Sequence, residues 1–76
     1  MDISKYEIVI KQHAFIRAIE REITPDMIEA TIRGGKIKWF GKNNVKFTKE
    51  YKRFSVICVD EVMGNKIKIV TIGRGD

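Results

Sequence analysis

Hydrophobic and polar positions along the chain follow two rhythms, one helical and one alternating. Residues 6–10 (Y-E-I-V-I) form a short β-branched run that predicts a first strand. From Gln12 the period becomes helical. At about 100° per residue, Phe15, Ile16, Ala18, Ile19 and Ile23 gather on one side, while His13, Arg17 and Arg21 fall on another. This predicts an amphipathic helix of about three turns. Thr24-Pro25-Asp26 then reads as a fresh helix start. Thr24 suits the N-cap, Pro25 the first helical position, and Asp26 complements the positive end of the helix. A second helix is expected over residues 25–33, turning Met27, Ile28, Thr31 and Ile32 inward and ending at Gly34-Gly35.

The second half alternates. Residues 36–40 and 45–48 read as the arms of a hairpin around the turn composition of residues 41–44. Ile37, Trp39, Val45 and Phe47 would face the core, with Lys36, Lys38, Lys46 and Thr48 on the other side beside Phe40. Residues 54–59 are almost continuously apolar, as a strand covered on both sides would be, and 63–66 has turn composition. Residues 66–72 form the last strand, and alternation places Thr71 on the side of Ile67 and Ile69, toward the helices. The expected fold is α+β: two short N-terminal helices packed on a mainly antiparallel four- to five-stranded sheet.

A chain of 76 residues accommodates one small domain, spanning 1–76, with one core. Hydrophobic residues make up 43% and charged residues 33%, which excludes a disordered chain. Cys58 is the only cysteine, so neither a disulfide framework nor a cysteine metal cluster forms within one chain, and its apolar neighbours predict a core thiol. No basic region followed by an apolar stretch opens the chain, and no run reaches the roughly 18 apolar residues of a membrane span. A cytoplasmic protein without membrane association is expected.

Charge changes the picture more. The net charge is +5, yet residues 33–53 alone carry eight bases against the single acid Glu50. The rest of the chain is slightly acidic, so the basic balance is local. A polyanion such as RNA is the expected partner, because lysines that neutralise phosphates release counterions. The candidate contacts are Arg33, Lys36, Lys38, Lys42, Lys46, Lys49 and Arg53, with Arg74 added from a Gly-Arg-Gly tail. Phe40 and Tyr51 are candidates to stack on exposed bases. The chain's last three letters, R-G-D, match a cell-adhesion tripeptide in spelling alone.

His13 is the one imidazole, so any acid–base work near neutral pH by such a group falls to it. It stands at the start of the first helix, where backbone amides and the helix dipole favour an anion. Arg17, one turn further on, lies on the same face. There is no Gly-rich phosphate loop, no His/Cys or paired-His spacing for a metal and no nucleophile elbow, so no metal or cofactor is called for.

His13-Ala14 followed by Arg17 (H-A-x-x-R), then residues 23–28 (I-T-P-D-M-I), Gly34 before a run of strands and the closing Val70-Thr71-Ile72, together resemble a small prokaryotic family of largely uncharacterised domains related to the RelE/ParE-like toxins. The resemblance implies a RelE-like fold and metal-independent endoribonuclease chemistry, in which a ribose 2′-hydroxyl attacks the adjacent phosphate. It would make His13 the acid or base, Arg17 the phosphate clamp and Thr71 a nearby hydroxyl. Tyr51 is added as a catalytic candidate on chemical grounds alone. The resemblance also implies RNA, ribosome-associated or free, as substrate and an antitoxin protein as partner. The chain is shorter than the better-known RelE pattern and lacks its terminal Tyr beside the last basic residues. Three functions are carried forward: a toxin-type endoribonuclease, a nonenzymatic nucleic-acid-binding domain using the hairpin, and a protein-interaction module such as a homodimer joined through a strand edge.

Overall fold

A computed structural model of the protein describes residues 2–75; Asp76, the last letter of the R-G-D triplet, lies outside them. A short 3₁₀ turn, Ile3–Lys5, leads into β1 (Glu7–Ile10), α1 (Gln12–Glu20) and α2 (Pro25–Gly34). Four strands follow: β2 (Lys36–Phe40), β3 (Asn44–Glu50), β4 (Ser55–Met63) and β5 (Lys66–Gly75). They form one five-stranded sheet in the order β1-β5-β4-β3-β2. The fold is α+β, and the sheet is mainly antiparallel: three of its four strand pairings are antiparallel, and β1 joins β5 in parallel. The two helices do not open the chain but follow β1, the strand predicted for residues 6–10. No helix among the described residues is long and apolar enough to cross a membrane.

Both helices lie on one face of the sheet. Ala14 and Ala18 from α1 and Ile28, Thr31 and Ile32 from α2 share a core with Val45, Phe47, Val56, Cys58, Ile67, Ile69 and Ile72. Ile23, between the helices, joins them. The start of α2 is as its sequence predicts: the Thr24 hydroxyl accepts from the Met27 N–H at 3.2 Å and Pro25 opens the helix. Its end differs in cause. Gly35 sits at φ −81°, which any residue can adopt. Space decides this position, because a Cβ there would stand 2.4 Å from the Thr31 carbonyl oxygen and 2.7 Å from that of Thr48.

Helix α1 buries its predicted side only in part. Ala18 and Ile23 are buried as expected and Ala14 joins them, but Phe15, Ile16 and Ile19, expected inward, are exposed. Small side chains let the helix backbone come close to β5, and the larger residues ride on the outside. Ile37 and Trp39 also miss the core, at 41% and 51% exposure. They point to the helix side, opposite Phe47 and Val45, but the helices pack over β3, β4 and β5 and stop short of β2. Every residue of β2 is exposed.

The last strand contains a bulge. Asp60 of β4 pairs with Ile69 and Val59 pairs with Thr71, leaving Val70 as an extra residue. Beyond it the alternation flips. Ile72 turns inward and Thr71 turns to the face that no helix covers, which reverses the orientation expected for Thr71. Residues 73–75, expected as a tail, are the end of β5.

Candidate nucleic-acid interface

The uncovered face of the sheet can be read row by row from the strand register. Lys36, Thr48, Ile57 and Gly73 form one row; Lys38, Lys46, Val59 and Thr71 form the next. Phe40, Asn44, Glu61, Lys68 and Val9 follow, and then Met63, Lys66 and Glu7. The period-2 alternation of β2 and β3 puts their lysines here because the facing positions, Val45 and Phe47, fill the core. Lys68 stands opposite Glu61 and Lys66 opposite Glu7, each a cross-strand pair of unlike charge. Lys38 instead stands directly opposite Lys46, and neither lysine forms an ion pair among the described residues.

The remaining basic candidates are scattered. Arg33 is on α2 and pairs with Glu29 at 3.0 Å across an exposed helix face. Lys42 is in the β2–β3 turn and Arg53 in the β3–β4 loop. Lys49 and Arg74 follow the parity of the core-facing Phe47 and Val56 and lie on the helix side. Arg74 stacks on the Phe54 ring, 4.2 Å from its centroid, and donates to the Arg21 carbonyl at the end of α1. Of the eight named contacts, the fold gathers three, Lys36, Lys38 and Lys46. Phe40 shares their face; Lys66 and Lys68 join it from β5, which a search confined to the hairpin misses. The repeated Lys-Ile-Lys of 36–38 and 66–68 is the sequence signal for them.

His13 and Arg17 do come together: the Arg17 Nε–H donates to His13 Nε2 at 3.0 Å. In this geometry the ring accepts at Nε2. The pair occupies a shallow concavity lined by His13, Ile16, Arg17 and Glu20 of α1 and by Arg21, its C-cap. Among the described residues no second element contributes a wall. Because α1 lies on the helix side, the pair is separated from Lys36, Lys38 and Lys46 by the thickness of the sheet. The other two catalytic candidates are elsewhere. Thr71 is on the uncovered face, and Tyr51 is in the β3–β4 loop, its ring stacked on Phe54 at 5.0 Å. Arg74, stacked on Phe54, links that ring to the Arg21 carbonyl at the far end of α1, about 12 Å along the helix from His13.

Compared with known proteins, the chain matches no family model, no curated protein and no solved structure.

Proposed function

We propose that this protein binds RNA on the uncovered face of its sheet, with Lys36, Lys38 and Lys46 contacting phosphates. The Lys38–Lys46 pair carries the reading: two like charges directly opposite each other, on a face without a helix, and neither ion-paired among the described residues. Such a pair costs stability in the free protein. A phosphate strand laid across it replaces repulsion with attraction and releases counterions. In this reading the RelE/ParE-like resemblance describes the scaffold, and the protein meets its RNA in the cytoplasm.

Fluorescence anisotropy with a labelled oligouridylate at several salt concentrations tests the proposal. Affinity is expected to fall with salt, with a log–log slope of about −0.7 for each phosphate contact. Lys38→Glu combined with Lys46→Glu should weaken binding at least tenfold and flatten that slope by roughly one to two. Arg33→Glu, on the helix layer, should leave affinity within about twofold. If the double reversal changes neither affinity nor slope, the reading fails.

A second reading, RNA cleavage, is favoured by the 3.0 Å bond between Arg17 and His13. It requires a scissile phosphate to be held by α1 alone, with His13 moving its proton. Cleavage of labelled RNA by the wild type, lost in His13→Ala while anisotropy is unchanged, would establish it. RNA left intact with and without ribosomes excludes it.

A further inference from the structure

The strand register goes beyond the lysines and defines what kind of RNA the uncovered face fits. We infer that it takes single-stranded RNA, with phosphates along Lys36, Lys38 and Lys46 and bases lying on the strip formed by Ile57, Val59, Thr71 and Gly73. This inference rests on the RNA reading above.

The two lysine rows continue onto that strip without interruption. Lys36 leads through Thr48 to Ile57 and Gly73, and Lys38 leads through Lys46 to Val59 and Thr71. All four strip residues are half-buried, so they form a low floor of aliphatic groups, one hydroxyl and bare backbone. The bulge at Val70 builds half of it, because it turns Thr71 and Gly73 outward. Acids close the strip at both ends. Glu50 stands in the row above, beside Ser55 and Gly75, while Glu61 and Glu7 stand in the rows below. The acid-free area is thus two rows long, about 7 Å, and four strands wide, about 14 Å. That is room for two or three nucleotides, with a backbone on the basic side and bases on the neutral side.

A duplex does not use this arrangement. Its phosphates would reach the lysines, but its bases stay stacked inside the helix and leave the strip uncovered. A single strand can lay its bases on the strip and remove apolar surface from water. Thr48 and Thr71 add hydroxyls within the same two rows, suited to a ribose 2′-hydroxyl.

The test is competition against a labelled oligouridylate bound to the full chain. The competitors are unlabelled oligouridylate, duplex RNA, deoxyoligothymidylate and an abasic phosphodiester strand of equal length. Oligouridylate is expected to compete at least tenfold better than the duplex or abasic strand, and several-fold better than the DNA. Gly73→Val raises the floor without disturbing the fold, since nothing lies within 4 Å of where its Cβ would stand. It should weaken single-stranded binding at least fivefold and leave duplex binding unchanged. Equal competition by duplex and abasic strands, or an unaffected Gly73→Val, overturns the strip while RNA binding itself stands. Equal competition by the DNA overturns the ribose contact. Absence of any RNA binding fails the earlier reading and takes this one with it.

Discussion

Among the described residues, neither carboxylate oxygen of buried Asp60 has a hydrogen-bond partner, and Asp60 is flanked in the sheet by Val45 of β3 and Ile69 of β5. Around it the core is apolar apart from the Cys58 thiol and Thr31, whose hydroxyl already donates to the Met27 carbonyl at 2.8 Å. Burial pushes the Asp60 carboxyl up to about 7 from an ordinary 3.8. Burial, and then the nearby Asp60, push the Cys58 thiol up to about 12, so Cys58 stays a protonated core residue. The folded state therefore holds the Asp60 proton more tightly than the unfolded chain does. Stability from this site is highest at acid pH, declines as pH rises from about 4 to about 7, and is flat above. The full loss is on the order of 4 kcal/mol. Asp60→Asn removes the titration. Its stability relative to the wild type should improve by about 2–3 kcal/mol between pH 5 and pH 8, measured by urea unfolding. A constant difference across that range would mean that Asp60 is ionised and solvated in the native state.

At the scale of the element, α1 ends in a turn that its sequence does not announce. The Ile23 N–H donates to the Ala18 carbonyl at 2.8 Å and the Glu22 N–H to the Ile19 carbonyl at 3.1 Å, with Glu22 at φ 60°. This is a Schellman termination with glutamate where glycine is usual, and Ile23 is buried as its hydrophobic anchor. A left-handed conformation costs a residue with a Cβ about 1 kcal/mol. The compensating contact from Arg74 to Glu22 is 4.0 Å long and its glutamate end is almost fully exposed, so it is worth little. Glu22→Gly should therefore stabilise the domain by roughly 0.5–1 kcal/mol, seen as a rise in Tm. The start of α2 and the hairpin were legible in the sequence because a cap, a proline and alternation act locally. The buried side of α1 was legible only in part, because two alanines carry less hydrophobic signal than the outward Phe15, Ile16 and Ile19. Parity likewise gave the face of Ile37 and Trp39 correctly, but coverage of that face depends on where distant helices come to rest.

At the scale of the molecule, β2 is an uncapped edge whose outer backbone is available for pairing. A homodimer joined there would bring the Lys36 and Lys38 of each copy toward those of the other. Charge on an edge strand opposes such pairing, so the chain is expected to be a monomer by light scattering at about 100 μM. Replacing both lysines by threonine should produce dimers or larger species and weaken RNA binding together. A dimeric wild type would revive the interaction-module reading. The lysine patch was visible in the sequence as a local charge excess, and alternation gave the outer face of Lys36, Lys38 and Lys46. What the sequence did not show is that Lys49 and Arg74 fall on the helix side, which only the register of β3, β4 and β5 settles.

The extra residue in β5 acts as a phase shift within one strand. Ile67 and Ile69 keep a two-residue beat, and Ile72 enters one position late. Before the slip, the outward positions are lysines paired with acids; after it, they are a threonine and two glycines. One inserted residue thus lets a single strand display two chemically different surfaces in succession, and its loss would exchange inside for outside along the whole of one end.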